Sequence, residues 1–216
     1  MTVFLVDDDD SVRKALARLI RAAGYEIKTF ASAREFIESK PENTGIACLV
    51  LDVRMPGING LDLQDALRAA KVPIPIVFIT GHGDIPMSVQ AMKAGAVDFL
   101  PKPVQDEELL RAIGQALARA ARERKDFDEK KQLQACFERL TPREREVLAL
   151  VITGKLNKQI AHDLGTVEKT IKVHRARVMD KMGSASLAEL VRMAEKLGIP
   201  SNKQLSIKSS FVVFPS

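Results

Sequence analysis

The chain is poor in the residues that staple or power many small proteins. It has two cysteines and three histidines in 216 residues. Cys48 sits inside an apolar run and Cys136 far away in a charged stretch, without a CxxC or Cys/His spacing, so a disulfide framework or zinc site is not expected and both are read as reduced thiols. His82, His162 and His174 show no triad or metal spacing and are expected in a loop, on a helix surface and in helix packing, which leaves little basis for an enzyme. No apolar run approaches the roughly 18 residues that span a bilayer, and Met1 to Val6 leads into acid rather than a signal-peptide core. The expected setting is the cytosol, with no membrane partner.

What is present is an ordinary globular composition, 46% apolar and 28% charged, in a chain too long for one small core. Domains typically run about 100 to 150 residues, so a seam is expected. Charge is split unevenly around it. Residues 1–120 carry 14 Lys and Arg against 16 Asp and Glu, whereas residues 121–216 carry 19 against 12, or about −2 and +7. An excess of that size suits a polyanion partner for the second half, although a solvated basic face would look the same.

The first half alternates short β-branched runs with helical periodicity. Thr2 to Val6, Glu26 to Phe30, Ile46 to Leu51, Ile74 to Ile79 and Val97 to Leu100 read as five strands. Between them, apolar residues recur at helical spacing, as in Val12, Leu16, Leu19, Ile20 and Ala23 before Gly24. Strict alternation predicts a doubly wound α/β domain with a five-stranded parallel sheet and right-handed crossovers. From Ala116 the stripe gives way to ARAARERKDFDEKKQLQ, in which good helix formers dominate and opposite charges fall at helical spacing, so the linker is expected to be helical. Leu140 to Ile199 carries only helical periods, enough for four helices. The expected division is 1–120, a linker over 121–138, an all-α domain over 139–199, and a tail over 200–216 with no assigned role.

Functional groups of an open parallel sheet gather at the carboxyl ends of its strands. Here the first strand runs into Asp7, Asp8, Asp9 and Asp10, the third into Asp52, the fourth into Thr80 and the fifth into Lys102 between two prolines. Each has an ordinary explanation: acid at a helix start, which suits Asp10, a turn hydroxyl, a surface lysine. Together they place carboxylates, a hydroxyl and an ammonium at one edge. Converging carboxylates call for a cation, and hard oxygen donors suit Mg²⁺. With such an ion Asp52 could accept a phosphoryl group while Lys102 and Thr80 meet its other oxygens.

LVDDDDSVR, LDVRMPGINGLDL, FITGHGD and AGAVDFLPKP resemble, in order and spacing, the receiver domain of two-component response regulators across nearly all of residues 1–120. The resemblance implies that Asp52 is the phosphoacceptor, that Asp8, Asp52 and the Arg54 carbonyl ligate Mg²⁺ with Asp7 acting through water, and that Thr80 and Phe99 form a switch pair. It also implies a cis peptide at Lys102–Pro103 and a sensor histidine kinase as partner.

Leu156 to Met182 reads as a helix, a turn near Gly165 and a second helix, with Lys169, Lys172, Arg175 and Arg177 on its exposed face and Ile171, Val178 and Met182 inward. This spacing fits a helix-turn-helix, although an αα-hairpin packing on a protein would share it. LTPREREVLALVITGKLNKQIAHDLG, EKTIKVHRARVMDKMG and SLAELVRMAEKLGI resemble the four-helix DNA-binding domain of the LuxR/NarL class, and the whole chain is similar to the FixJ-type regulators. By that resemblance Lys172 and Val173 are base-reading positions, with Arg175 and Arg177 nearby for bases or phosphates. Relatives usually carry Ser where this chain has Val167, so Thr166, one residue earlier, becomes the expected cap; at Ala176 some relatives carry a basic contact residue. The implied function is a transcriptional regulator, controlled by phosphorylation and pairing as a homodimer on double-stranded DNA. The alternative is a constitutive DNA-binding protein whose receiver serves only dimerisation.

Overall fold

The computed structural model describes residues 1–40, 45–81 and 85–200. His82, the rest of its loop and the tail from 201 onward lie outside the described residues. The chain divides into two compact units, Met1–Lys125 and Asp126–Ser216.

The first unit alternates β1 (Thr2–Val6), α1 (Asp10–Ala22), β2 (Glu26–Phe30), α2 (Ala33–Glu38), β3 (Ala47–Asp52), α3 (Gly60–Ala69), β4 (Ile76–Thr80), α4 (Ile85–Lys93) and β5 (Asp98–Pro101), then enters α5 (Asp106–Glu138). The strands form one parallel sheet in the order β2-β1-β3-β4-β5. Chain order reverses between β1 and β3, and ligand crevices of such sheets form at that point.

The period of two sorts the central strands between two cores. Phe4, Val6, Leu49, Leu51 and Phe78 face one side, where they meet Phe36 of α2 and Leu63 of α3. Val3, Leu5, Cys48, Val50, Val77 and Ile79 face the other, where they meet Leu16 and Ile20 of α1 and Leu109 and Ile113 of α5. Both faces of β3 and β4 are thus covered, which is why these runs are apolar throughout. The helix starts are set locally. Asp9 caps α1 by accepting from the Ser11 and Val12 amides, Ser32 caps α2 and Asn59 caps α3. Lys102–Pro103 is cis, as the receiver resemblance implied.

The second unit contains the end of α5, then α6 (Pro142–Val151), α7 (Asn157–Asp163), α8 (Glu168–Met182) and α9 (Leu187–Lys196). Val147, Leu148, Val151, Ile160, Ile171, Val178, Met182 and Leu190 form its core. A capping box opens α6: Thr141 accepts from the Glu144 amide, and the Glu144 carboxylate accepts from the Thr141 amide at 2.9 Å.

The turn between α7 and α8 corrects one expectation. The cap position of α8 is Val167, without a side-chain hydrogen bond, and Thr166 does not cap it. The Thr166 amide instead donates to Ala161 O, and that of Gly165, at φ +58°, to His162 O. These two bonds are a Schellman closure of α7, and the turn they set makes Val167 the cap position of α8, with Thr166 one residue before it.

Candidate functional site

The sheet topology delivers the predicted groups to one edge. Asp7 follows β1, Asp52 ends β3, Thr80 ends β4 and Lys102 follows β5. Lys102 Nζ donates to Asp7 Oδ2 at 2.7 Å and to Asp52 Oδ2 at 2.6 Å, so one ammonium bridges carboxylates from two strands. The Lys102 amide donates to Thr80 O at 2.7 Å, which ties β4 to the lysine's own backbone. Asp7, Asp52 and Thr80 are buried, while Asp8 is exposed. Carboxylate oxygens of Asp7, Asp8 and Asp52 lie within 4.8 Å of one another. The Arg54 amide donates to Asp52 Oδ1 at 3.2 Å, which leaves that residue's backbone beside the cluster.

The four consecutive aspartates divide their roles. Asp7 and Asp8 join the cluster, Asp9 caps α1, and Asp10 pairs with Lys14 and Arg13 at the helix start. The hydrogen bond from Lys14 holds the Asp10 carboxyl below its ordinary range. Asp7 behaves in the opposite way: burial raises it, against the pull of Lys102. Burial also draws the Lys102 ammonium down, but its hydrogen bonds to Asp52 and Asp7 outweigh that and leave it raised. Three carboxylates against one ammonium leave an excess of negative charge, partly out of water. A hard divalent cation fits this donor set, since all its donors are oxygens and only Asp8 is exposed to bring in solvent.

Two further residues shape this edge. Arg13 Nη1 donates to the backbone carbonyls of Asp7 and Asp8 at 2.7 and 3.4 Å, fixing the loop that carries the acids. Gly60 opens α3 against the end of β3, its amide donating to Val53 O at 2.9 Å. A Cβ at Gly60 would overlap the Asp52 carbonyl oxygen and lie 3.0 Å from Val53 Cα. Both residues belong to the quoted motifs, DDDDSVR and GINGLDL, yet nothing local in those strings gives either contact. Phe99 of β5 is half-buried beside Phe78, with ring centroids 6.1 Å apart and planes inclined at 44°.

In the second unit, Lys169, Lys172, Val173 and Arg177 are exposed on α8, opposite the buried stripe of Ile171, Val178 and Met182. Arg175 does not share that exposure. It is half-buried, and its Nη1 donates to Asn157 Oδ1 at 3.1 Å. Among the described residues, no helix is long and apolar enough to cross a membrane.

Comparison with known proteins places these features. The family described as response regulator receiver domain matches residues 3–114, and the luxR family of bacterial regulatory proteins matches residues 138–194. The chain belongs to the two-component response regulators. It is 52% identical over 201 residues to Nodulation protein W of Bradyrhizobium diazoefficiens, covering 93% of this chain and 88% of that one. Transcriptional regulatory protein FixJ of Rhizobium meliloti is 44% identical over 194 residues, covering 89% and 94%. Among solved structures, response regulator StyR aligns with a TM-score of 0.80 at 52% identity, over 90% of this chain and 98% of that chain. Full-length FixJ from B. japonicum aligns with a TM-score of 0.56 at 40% identity, over 92% and 98%.

A receiver followed by a LuxR-type DNA-binding domain makes this response regulator a phosphorylation-controlled transcription regulator, a class that is generally not enzymatic. That architecture implies a histidine kinase as one partner and DNA as the other.

Proposed function

We propose that Asp52 is the phosphoacceptor, taking its phosphoryl group in the cytoplasm from a sensor histidine kinase, and that the modified chain pairs into a homodimer whose α8 helices read double-stranded DNA. The observation that carries this reading is the single ammonium of Lys102 held between Asp7 and Asp52 at the mouth of the sheet.

Asp7, Asp8, Asp52 and the Arg54 carbonyl would hold Mg²⁺, with Asp7 acting through water, and the bound ion would neutralise charge building on the phosphoryl oxygens. In the transfer, an Asp52 carboxylate oxygen attacks phosphorus as the bond to the donor's imidazole nitrogen breaks, leaving an acyl phosphate. Lys102 already sits on Asp52, so its ammonium can exchange a carboxylate contact for a phosphoryl oxygen with little movement. The Thr80 hydroxyl, at the end of the neighbouring strand, supplies a second donor. Phe99 of β5 lies next to Phe78 of β4, and a Thr80 drawn toward the phosphate would free space for the Phe99 ring to turn inward. Residues 121–138 transmit the change, and Lys169, Lys172, Val173, Arg175 and Arg177 make up the DNA contacts.

Incubation with Mg²⁺ and a small phosphodonor adds one phosphoryl group by intact mass, and Asp52→Asn adds none. Labelling of that variant to the wild-type extent would remove the assignment. DNA affinity that is unchanged by phosphodonor would favour a constitutive DNA-binding protein that uses the receiver only to dimerise.

A further inference from the structure

The cations of α8 are not equivalent. At about 100° per residue, Arg175 falls on the flank of the helix, between Lys172 and the buried stripe of Ile171, Val178 and Met182. Its side chain reaches 18 positions back to Asn157, the first residue of α7, and the two meet half-buried. Two lysines of this unit reach another helix to meet a carboxylate, Lys181 at Glu144 and Lys196 at Glu129. Arg175 makes no ion pair among the described residues. Its one recorded partner is a neutral amide oxygen, which satisfies one of five N–H groups and none of the charge.

A guanidinium that has lost part of its water without gaining an anion is costly unless an anion arrives from outside. The Asn157 bond takes one N–H of Nη1 and holds the guanidinium toward the start of α7, on the flank of α8 and away from the exposed face that carries Lys169 and Val173. The Nε and Nη2 edge keeps two parallel N–H groups, a fork that suits a phosphate of the strand beside the groove. Lys158, one residue from Asn157, is exposed and has no ion pair among the described residues, whereas Lys155 is paired with Asp163 at 2.6 Å. Asn157 also has the right chemistry for an orienting partner. An amide aims the guanidinium without neutralising it, whereas a carboxylate there would cancel the charge and repel a phosphate.

Resting on the assignment of α8 as the DNA-reading helix, we infer that Arg175 binds a backbone phosphate of DNA rather than a base, and that Asn157 is the positioning residue that aims it. The pair fixes the register of α8 on the duplex, and Lys172 and Val173 read sequence within that register.

The test uses the full chain, phosphorylated, with a duplex selected from a random pool and a mixed-sequence duplex of equal length, and measures Kd across a KCl series. Arg175→Ala loses about tenfold on both duplexes and lowers the salt slope by about one. Asn157→Ala loses less, and the double variant binds no worse than Arg175→Ala alone, because Asn157 acts only through Arg175. Asn157→Asp separates positioning from bracing. It keeps the hydrogen bond and adds an ion pair, so thermal unfolding is unchanged or higher, while DNA affinity falls as far as in Arg175→Ala.

Wild-type affinity in Asn157→Asp, or loss of sequence preference with an unchanged salt slope in Arg175→Ala, overturns the inference. Lys172→Ala serves as the benchmark, since it should lose affinity for the selected duplex above all. If Lys172→Ala leaves both affinities untouched, the assignment of α8 falls and this inference with it. If Lys172→Ala behaves as expected and Asn157→Asp binds like wild type, only the phosphate role falls.

Discussion

Each unit of the molecule carries a buried carboxylate gripped by a lysine, and the two contacts are nearly the same length. Lys102 lies 2.6 Å from Asp52 and 2.7 Å from Asp7, and Lys181 lies 2.6 Å from Glu144. Their electrostatics run in opposite directions. Lys181, with help from the Thr141 amide, holds the Glu144 carboxyl down at about 2. Burial pushes the Asp7 carboxyl up in spite of Lys102. The difference lies in the stoichiometry of charge. Glu144 is one carboxylate with one ammonium and a capping-box hydrogen bond, and its bonding is complete. At the receiver edge, three carboxylates gather around one ammonium that bonds two of them, Asp7 and Asp52. A finished ion pair joins two helices, whereas an unfinished one leaves acid without a counter-charge, which is what the proposed cation and phosphoryl site requires.

The receiver can keep such an excess only if its backbone does not yield, and this gives the largest expected effect. Gly60→Ala drives a methyl into the Asp52 carbonyl and Val53 Cα, both backbone and unable to swing aside. The variant should lose about 2 to 4 kcal/mol in urea unfolding. Gly45→Ala, where a methyl meets open space, stays within about 0.5 kcal/mol. Equal stability of the two variants would mean that β3 and α3 can slide apart, and that the edge is softer than its packing.

Next in size is the finished pair itself. Glu144→Ala removes half of the capping box and strands Lys181, a cost of about 2 to 3 kcal/mol. A carboxyl depressed in the fold binds fewer protons than it does unfolded, so its contribution is complete above the unfolded value of 4.5 and is lost as pH falls toward about 2. Across that window the second unit should give up at most about 3 kcal/mol, and Glu144→Gln should flatten that dependence. Amide NMR signals from α6 and α8, followed through acid unfolding, report it. An identical acid profile in Glu144→Gln would show that the lysine contact does not stabilise the fold.

Much of the receiver edge was legible in the sequence because strand ends are marked locally. Where an apolar β-branched run stops at a polar residue, the chain leaves the sheet, and Asp7, Asp52, Thr80 and Lys102 each stand at such a stop. The third strand ends one residue later than expected, so Asp52 is its last residue rather than the first of a loop. What escaped notice depends on distance along the chain or on competition between neighbours. Gly60 contacts Asp52 only after the loop has folded back, and Arg175 meets Asn157 across a helix turn. Thr166 looked like a cap because its side chain suits one, but the turn that closes α7 makes Val167 the cap position and leaves Thr166 one residue before it. The burial that sorts Arg175 from Lys172 is likewise tertiary, since both are basic residues three positions apart on one helix.

The smallest effect is also the one that sets the two lysine contacts furthest apart. Ionised Asp7 is disfavoured by its surroundings relative to the neutral acid, so its amide counterpart should be tolerated better than the native residue. Without divalent cations at pH 7, Asp7→Asn should stabilise the receiver by up to about 1 kcal/mol, where Glu144→Gln destabilises the second unit. Adding Mg²⁺ should reverse the ranking of Asp7→Asn and wild type, because only the wild type keeps the full acidic set that a cation would stabilise. Thermal unfolding of both proteins with and without Mg²⁺ decides the matter. If Asp7→Asn is less stable than wild type even without the ion, then Lys102 already compensates all three carboxylates, and the edge is a finished structural pair like that of Glu144.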